Sequence, residues 1–533
     1  MTGKRSDWLI LTLTVAALTA LVIPALLVPV PPLFDYANHL VRLWLIAGGA
    51  DSPPLSQMYA PAWEQAFTNV GIDYLGAVLG RIVPATAVGT GMLALATALP
   101  PLGAVLLNRA VFGGVHWSHI AILFFAWNAT LIAAFLNFHI GIGLALMGAA
   151  LEPRLGKSSM ALQVSARAAI GLLLIIVHAF GLLYYCALVG ALSIGRSLGR
   201  LASLKGLAAR AGGALAAALP AALPACLVIA LAPALPGAHT DAVGKAPFWD
   251  FSLASKTYVL LSPIATYHLP VDIAFTLAAI APLAAVALAG RCETHAGLLL
   301  LAAAMTLIAI LAPAAVAGTW WIDNRFPLMA VLALMAGLRP NAVLRPGPRT
   351  ALAVLLTFVV VLRTGWIAAV WLQRQQDVAA LARAVEPVPA GAAILPLDNV
   401  DEAAGVAAHP LGRLFHNGHP TYWSYPVLAI MWRRAFVPNL FWAAGKQPIR
   451  LLPPWDEISY PEDGLWRSRV LTASEEVPDH FRHWRQRYQF VLLLNADVGS
   501  GADLSQVDEL RLERDEGFAR LYRIVTGSVA GAR

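Results

Sequence analysis

Four polar side chains follow the first strongly apolar run of the sequence, in the segment PPLFDYANHLVRLW at residues 31–44: Asp35, Asn38, His39 and Arg42. Their spacing places all four on one face if the segment is helical. Asp35 could then act as a general base on a hydroxyl, while His39 and Arg42 could tune it or hold an anion. The alternative is an amphipathic helix at a membrane interface, with Asp35 as its cap and Arg42 extended toward water.

Two arginines elsewhere are candidates for binding phosphate, because a guanidinium group matches phosphate geometry. Arg325 lies beside Asp323 in WWIDNRFP, at the end of an apolar run. An ordinary surface ion pair between these two residues is the alternative. Arg363 lies within the last apolar run, in VVVLRTGWIAAVW. An ionisable side chain inside a membrane indicates function by default, although extension toward the interface is the simpler alternative.

Histidines and aromatic residues form a third set of candidates for substrate binding. His139 and His178 stand at the ends of predicted helices, and each could equally be an ordinary helix-end polar residue. The segment FHNGHPTYWSYP holds His416, His419 and Tyr422. These three could line a carbohydrate site through ring stacking, or they could pack their segment against the membrane region.

Long apolar runs must position these residues. The chain has 533 residues, 59% hydrophobic and 13% charged, whereas soluble domains carry about 25% charged residues. Several runs exceed the roughly 18–20 residues that cross a bilayer, so the sequence predicts a polytopic α-helical membrane protein. We expect about eleven transmembrane helices, near residues 8–30, 86–107, 118–136, 139–151, 166–178, 180–195, 212–234, 273–290, 296–317, 326–338 and 350–371.

The distribution of Lys and Arg predicts the orientation of these helices. Basic residues are concentrated in loops such as 152–167 and 196–210, which the positive-inside rule places in the cytoplasm. An even number of helices must then join these two loops, which favours two short helices meeting at His178 over one long helix. The N-terminus is predicted to be cytoplasmic. The polar candidates then lie at the periplasmic surface of a bacterial inner membrane.

The character of the sequence changes near residue 372. Residues 1–372 form the predicted transmembrane domain, with a long first periplasmic loop at 31–85. From 373 to 533 the apolar runs shorten and charges become more frequent. The segments GAAILPLDN, YQFVLLLNA and FARLYRIV predict strands, whereas HFRHWRQRY and LSQVDELRL predict helices. This part is predicted to be a soluble, periplasmic α/β domain of ordinary size.

Several function classes lack their motifs. The sequence contains no Walker motif, no GxSxG, no HExxH and no GxGxxG after a predicted strand, so nucleotide hydrolysis is not supported. The formal net charge of +7 comes mostly from basic residues in short loops, and no basic cluster is interleaved with aromatic residues. Nucleic acid is therefore not expected as a partner.

Asp35 directly after the first helix in FDYANHLVR, a long first outer loop and a C-terminal outer domain together resemble the GT-C superfamily of membrane glycosyltransferases. The resemblance implies a donor sugar linked to polyprenyl phosphate, and an acceptor hydroxyl on a glycan, lipid or protein. It implies that Asp35 is the catalytic base, that Arg325, Arg363 or His178 offsets charge on the departing lipid phosphate, and that the anomeric carbon is inverted. The paired acidic motif of several families is absent at Asp35, so a divalent metal stays open as a cofactor.

Two other functions fit the composition. A secondary transporter or lipid flippase would favour internal repeats and charges near the membrane midplane, and the sequence shows neither. A non-catalytic subunit of an envelope polysaccharide or lipid assembly or export system, with the C-terminal domain as its docking module, fits equally well. Only a measurement of activity separates this last alternative from a glycosyltransferase.

Overall fold

Helices account for most of the architecture. The computed structural model describes residues 2–195, 204–230, 246–316, 319–341, 346–400, 405–442, 446–460, 465–472, 481, 483–498 and 504–525. Its helices are α1 (Thr2–Leu27), α2 (Tyr36–Trp44), α3 (Gly71–Leu79), α4 (Ala85–Phe112), α5 (Ser118–Leu123), α6 (Ala129–Ile132), α7 (Leu136–Leu155), α8 (Met160–Val177), α9 (Ala179–Ile194), α10 (Leu204–Ala230), α11 (Leu253–Leu261), α12 (Leu269–Leu288), α13 (Ala296–Leu311), α14 (Phe326–Ala336), α15 (Pro346–Ala384), α16 (Leu428–Arg433) and α17 (Trp484–Arg487).

Short strands complete the list of elements. They are β1 (Tyr59–Pro61), β2 (Cys292–Thr294), β3 (Ala315–Val316), β4 (Thr319–Trp320), β5 (Leu338–Pro340), β6 (Ile394–Asp398), β7 (Ile449–Leu451), β8 (Trp466–Arg467), β9 (Phe490–Leu494), β10 (Leu510–Asp515) and β11 (Ala519–Ile524).

Six helices in the described parts of the chain are long and apolar enough to cross a membrane: α1, α4, α8, α10, α12 and α15. Three apolar stretches are shorter, at Ser118–Ile132, Ala179–Ile194 and Ala296–Leu311. The chain is therefore a multi-pass membrane protein, as its composition predicted. The far ends of two predicted helices, at residues 231–234 and at 317, lie outside the described residues, as do residues 196–203 of a predicted basic loop.

The predicted helix at 118–136 is wrong as a single helix. The chain forms α5, a 3-10 turn, and then an extended Trp127 with φ −91° and ψ 115°. Asn128 then starts α6, because its side-chain oxygen accepts a hydrogen bond from the backbone N–H of Leu131 at 3.0 Å. Ala134 follows in the left-handed region with φ 60°. A side-chain cap in an apolar run thus divides a stretch that hydropathy alone presents as continuous.

The predicted break at His178 is confirmed. Its backbone is extended between α8 and α9, and its imidazole Nδ1 accepts a hydrogen bond from the backbone N–H of Phe180 at 3.1 Å. Gly181 lets α9 approach α7 closely, because a Cβ at this position would lie 2.9 Å from the backbone of Gly141. Small residues at such crossings are typical of helix packing in membranes.

The chain divides into two compact units. The first contains residues 1–27, 67–72 and 91–368, and the second contains residues 28–66, 73–90 and 369–533. Residue 372, where the sequence changes character, lies inside the continuous helix α15. Most of the first predicted loop belongs to the second unit, where β1 pairs antiparallel with β7.

The second unit is built on a mixed five-stranded sheet with the strand order β10-β11-β9-β6-β8. Both β6 and β9 are buried along their whole length and pair in parallel, whereas β11 is antiparallel to β9. The three predicted strands correspond to β6, β9 and β11. Of the helix predicted in HFRHWRQRY, Phe481 and Trp484–Arg487 are helical among the residues described. LSQVDELRL forms a 3-10 turn and the start of β10.

Candidate functional site

The polar segment that follows α1 is helical and buried. Asp35 immediately precedes α2, and every residue from Tyr36 to Leu43 is buried. Arg42 is 0% exposed, so it does not extend toward water. The Asp35 side chain makes no capping hydrogen bond and remains 24% exposed. The interfacial-helix interpretation therefore does not describe this segment.

A chain of contacts runs along the buried face of α2. The Asn38 amide donates to Asp35 Oδ1 at 2.7 Å. His39 Nε2 lies 3.7 Å from Asp35 Oδ2, and Arg42 Nη2 lies 2.9 Å from His39 Nδ1. A guanidinium group can only donate, so His39 Nδ1 must accept. In the neutral imidazole the proton then lies on Nε2, which is 3.7 Å from Asp35 Oδ2 and so beyond hydrogen-bond distance.

Asp73 anchors this chain at its far end. Arg42 Nε donates to Asp73 Oδ1 at 2.6 Å, and both side chains are completely buried. Local spacing could not single out Asp73, because 31 residues separate it from Arg42 and it lies on another helix, α3. An acidic residue inside an otherwise apolar helix was the one available signal. The pair fixes the guanidinium that sets the tautomer of His39.

Burial raises the pKa of Asp35 from its usual 3.8 to about 6, against the opposing effects of the Asn38 hydrogen bond and the Arg42 charge. Asp35 Oδ2 accepts no hydrogen bond from any described residue. A carboxylate that is partly exposed and has one free oxygen can take a proton from a bound hydroxyl.

An aromatic segment of the second unit holds Asp35 in place. Phe34, the residue before Asp35, stacks on Trp423 with ring centroids 5.0 Å apart. The Ser424 hydroxyl donates to the Phe34 carbonyl at 2.6 Å. Asn38 Oδ1 accepts from the backbone N–H of Phe441 at 3.1 Å. Residues between Trp423 and Phe441 thus pack around Asp35 and its neighbours Phe34 and Asn38.

The three predicted binding residues of this segment occupy different environments. His419 is exposed and lies near the ring of Phe34, with centroids 6.5 Å apart, whereas His416 is half-buried. Tyr422 is buried and its hydroxyl donates to Asp398 Oδ1 at 2.9 Å. Burial raises the pKa of Asp398 to about 6 as well, but this carboxylate is closed off from solvent at the end of β6.

Arg325, in the first unit, is a buried cation without a carboxylate partner among the residues described. Its Nη1 donates to the carbonyls of Trp320 and Trp321 at 3.1 and 2.8 Å. The guanidinium carbon lies 4.6 Å from the ring centroid of Phe135 and 5.3 Å from that of Phe180. Its Nε is buried without a hydrogen-bond partner. Such a group is suited to an anionic ligand.

His178 shares an aromatic neighbour with Arg325. The His178 and Phe180 rings lie 5.7 Å apart. His178 Nδ1 accepts the backbone N–H that caps α9, so in the neutral ring Nε2 carries the proton and can donate.

Asp323 does not pair with its neighbour Arg325. It forms an ion pair with Lys256, with Nζ and Oδ2 2.9 Å apart, and it also accepts from the Asn324 amide. The predicted alternative of an Asp323–Arg325 ion pair is therefore wrong. Asp323 therefore acts on Arg325 only through its charge at longer range, and no described carboxylate lies at ion-pair distance from Arg325.

Arg363 and His139 have partners inside the helix bundle. Arg363 Nη2 lies 3.0 Å from Asp272 Oδ1, and Nη1 donates to the Phe124 carbonyl at 3.0 Å. His139 Nε2 lies 2.9 Å from the Thr130 hydroxyl. Both side chains are buried. Each of them therefore already has a protein partner in the first unit.

No group of three or more His, Cys, Asp or Glu side chains in the described ranges is arranged to hold a metal ion. Around Asp35 the nearby side chains are an amide, a neutral imidazole and a guanidinium. This donor set does not fit a divalent cation, which prefers several oxygen ligands.

The fold is similar to that in the crystal structure of ArnT from Cupriavidus metallidurans in the apo state. The TM-score is 0.50 at 11% sequence identity, and the similarity covers 98% of each chain. No family model matches the sequence, and no curated protein sequence matches it significantly. The similarity establishes the fold. The chain is a polytopic helical membrane protein with a C-terminal α/β domain, as its sequence predicted.

Proposed function

We propose that this protein is a glycosyltransferase that moves a sugar from a polyprenyl-phosphate-linked donor to an acceptor hydroxyl, with Asp35 as the general base. The observation that carries the proposal is the state of Asp35. Its carboxylate is partly exposed, has one oxygen without a hydrogen bond, and has a pKa raised to about 6. A base is most effective when its pKa lies near the working pH.

The proposed reaction needs no nucleotide, because the donor carries its own energy in the sugar–phosphate bond. Asp35 takes the proton of the acceptor hydroxyl, and the hydroxyl oxygen forms a bond to the anomeric carbon. The bond between that carbon and the phosphate oxygen breaks, and the electron pair leaves with the polyprenyl phosphate. Attack from the face opposite the leaving group predicts inversion at the anomeric carbon.

His39 and Arg42 act as positioning residues in this proposal. The buried Arg42–Asp73 ion pair fixes the proton of His39 on Nε2, facing Asp35. His39 acts on the ionised carboxylate through its N–H dipole at 3.7 Å, without a hydrogen bond. It does not compete for the acceptor proton, because its other nitrogen already accepts from Arg42. Asn38 binds the second carboxylate oxygen, which leaves Oδ2 for the acceptor.

Arg325 is the residue that we assign to the donor phosphate, with His178 as a second hydrogen-bond donor. A guanidinium group that has aromatic and carbonyl neighbours but no carboxylate is ready to meet an anion. Its effect on a departing phosphate is strengthened by low local polarity. Asp323, Arg363 and His139 are not assigned to substrate, because each already has a protein partner.

The location that we propose is a bacterial inner membrane, with a cytoplasmic N-terminus and a periplasmic C-terminal domain. The supporting observation is the concentration of Lys and Arg in alternate loops. Reporter fusions after Gly347 and after Arg533 should report opposite sides of the membrane. The acceptor on the periplasmic side would be a glycan, lipid or protein hydroxyl.

The test is the Asp35→Asn variant in proteoliposomes. Release of polyprenyl phosphate is measured from a panel of polyprenyl-phosphate-linked sugars, with total envelope glycolipid as the acceptor. We expect a loss of about 10²–10⁴-fold, the usual contribution of a general base. Stability at neutral pH should be unchanged or slightly increased, because the raised pKa means that the fold favours the protonated carboxyl.

Asp51→Asn is the matched control, because it removes an exposed carboxylate from the same loop. It should leave the rate unchanged. If wild-type protein releases no polyprenyl phosphate from any donor in the panel, the non-catalytic alternatives are favoured. If Asp35→Asn retains wild-type turnover, Asp35 is not the base.

A further inference from the structure

A cavity in the first unit is lined by none of the candidate site residues discussed above. It has a volume of about 580 Å³ and is formed by the C-terminal turns of α4 and α7 together with α8. Its wall is mostly apolar and includes Leu106, Leu144, Met147, Leu151, Leu173 and Leu174. Leu151 and Leu173 are about half exposed, and α4 and α8 are long and apolar enough to cross a membrane. An acyl chain could therefore enter from the bilayer.

Two arginines are the charged residues that line this cavity, Arg109 in the last turn of α4 and Arg154 in the last turn of α7. Both are exposed. Neither forms an ion pair or a side-chain hydrogen bond with any residue that the structure describes. Nearby arginines differ, since Arg167 pairs with Glu152 and Arg339 pairs with Glu293. The cavity therefore combines an apolar wall with unneutralised positive charge.

We propose that this cavity binds an anionic phospholipid, with the phosphate diester at Arg109 and Arg154 and an acyl chain along the leucines. Guanidinium groups match phosphate oxygens in geometry and charge. Basic pockets between membrane helices are suited to anionic headgroups. The volume lies within the usual range for ligand pockets. This proposal is independent of the glycosyltransferase assignment, because it uses none of the same residues.

Arginines at helix ends also have an ordinary role in membrane topology, so the test needs a matched control at the same end of the bundle. Arg291 provides it. Its side chain is exposed and does not line the cavity. Its contacts place Arg291 at the same end of the bundle as the C-terminus of α4. The Arg291 carbonyl accepts a hydrogen bond from the backbone N–H of Asn341, next to the β2–β5 pair. Arg339 of β5 in turn donates to the carbonyl of Phe112 at the end of α4.

The experiment is native mass spectrometry of the delipidated full-length protein titrated with dioleoylphosphatidylglycerol or dioleoylphosphatidylcholine. Wild-type protein should bind one phosphatidylglycerol more tightly than phosphatidylcholine. Arg109→Gln/Arg154→Gln should weaken phosphatidylglycerol binding about 30-fold, because each basic residue near an anionic headgroup contributes roughly a factor of five. Arg291→Gln should bind as wild type does. Leu144→Trp, which keeps both arginines but fills the apolar wall, should also weaken binding.

Three results would overturn the proposal: equal binding of the two lipids by wild-type protein, unchanged phosphatidylglycerol binding by the double variant, or an equal loss in Arg291→Gln. Unchanged binding by Leu144→Trp would exclude the acyl part of the site. Thermal unfolding of each variant, followed in parallel, identifies any variant that is misfolded. If the double variant is misfolded, the single variants Arg109→Gln and Arg154→Gln replace it. Each should lose about fivefold in affinity for phosphatidylglycerol.

Discussion

Asp35 and Asp377 are both acidic residues of the second unit with arginines nearby, yet their surroundings differ. Arg413 donates to Asp377 Oδ1 at 2.8 Å and to Oδ2 at 3.0 Å, and Arg374 donates to Oδ2 at 2.7 Å. Asp377 is buried, with both oxygens bound. Asp35 has one oxygen bound by Asn38, and its nearest cationic side chain, Arg42, is committed to Asp73. The comparison separates a carboxylate that holds the fold from one that remains able to accept a proton.

The first unit shows the same contrast between two arginines. Arg363 faces Asp272, which is itself held by the Thr266 hydroxyl. Arg325 faces carbonyls and aromatic rings and has no carboxylate within ion-pair distance in the part of the chain that the structure describes. Both arginines have a buried Nε without a hydrogen-bond partner, so what distinguishes Arg325 is the lack of a carboxylate at ion-pair distance among the described residues.

The largest expected effect is on stability, in Asp377→Asn. This change leaves Arg374 without its carboxylate partner, whereas Arg413 keeps its ion pair with Asp497. Removal of one member of a buried ion pair typically costs about 3–5 kcal/mol in the free energy of unfolding. Thermal unfolding of the purified protein should therefore shift strongly downward, while activity per folded molecule is retained. Asp35→Asn should instead keep its thermal stability and lose activity. If the two variants lose stability and activity to the same extent, the contrast between the two carboxylates is wrong.

Arg325→Gln should weaken binding of polyprenyl phosphate with little change in stability. A hydrogen bond to a charged group typically contributes about 1.5–3 kcal/mol, so we expect a loss of roughly 10-fold or more in affinity. Arg363→Gln is the matched comparison and should destabilise the protein, because Asp272 would remain buried without its cation. Titration with polyprenyl phosphate and thermal unfolding measure the two effects. Equal affinity in Arg325→Gln and wild type would remove Arg325 from the donor site.

His39→Gln should give the smallest effect. The glutamine amide can still donate toward Asp35, but Arg42 no longer fixes its orientation through a ring nitrogen. The loss of one oriented contact is expected to contribute about 0.5–1.5 kcal/mol, or roughly 2- to 12-fold in kcat/KM. A loss as large as that of Asp35→Asn would mean that His39, rather than Asp35, carries the proton.

Hydropathy and charge in the sequence were enough to predict the fold class, the break at His178 and three strands of the sheet, because each depends on local composition. The prediction of one continuous helix at 118–136 was wrong, because the helix cap formed by Asn128 does not change the hydropathy of the apolar run. The segment LSQVDELRL was predicted as a helix, but its last three residues begin β10, and the pairing of β10 with β11 decides their conformation.

The spacing of the polar residues also predicted that Asp35, Asn38, His39 and Arg42 share one face of a helix. It could not reveal Asp73, since the Arg42–Asp73 ion pair depends on how α3 packs against α2. Nor could it show that Asp323 pairs with Lys256, which is 67 residues away. Local periodicity therefore gives the candidates, and tertiary contacts decide which of them stay unsatisfied.

The most direct test of the account is the pH dependence of kcat/KM for polyprenyl-phosphate release by wild-type protein and by Asp35→Asn. The base must be ionised, and burial raises the pKa of Asp35 to about 6. We therefore predict a rate that rises about tenfold per pH unit below this value and levels off above it. The residual activity of Asp35→Asn should lack this acidic limb. An acidic limb near pH 6 that persists unchanged in Asp35→Asn would contradict the assignment of Asp35 as the base.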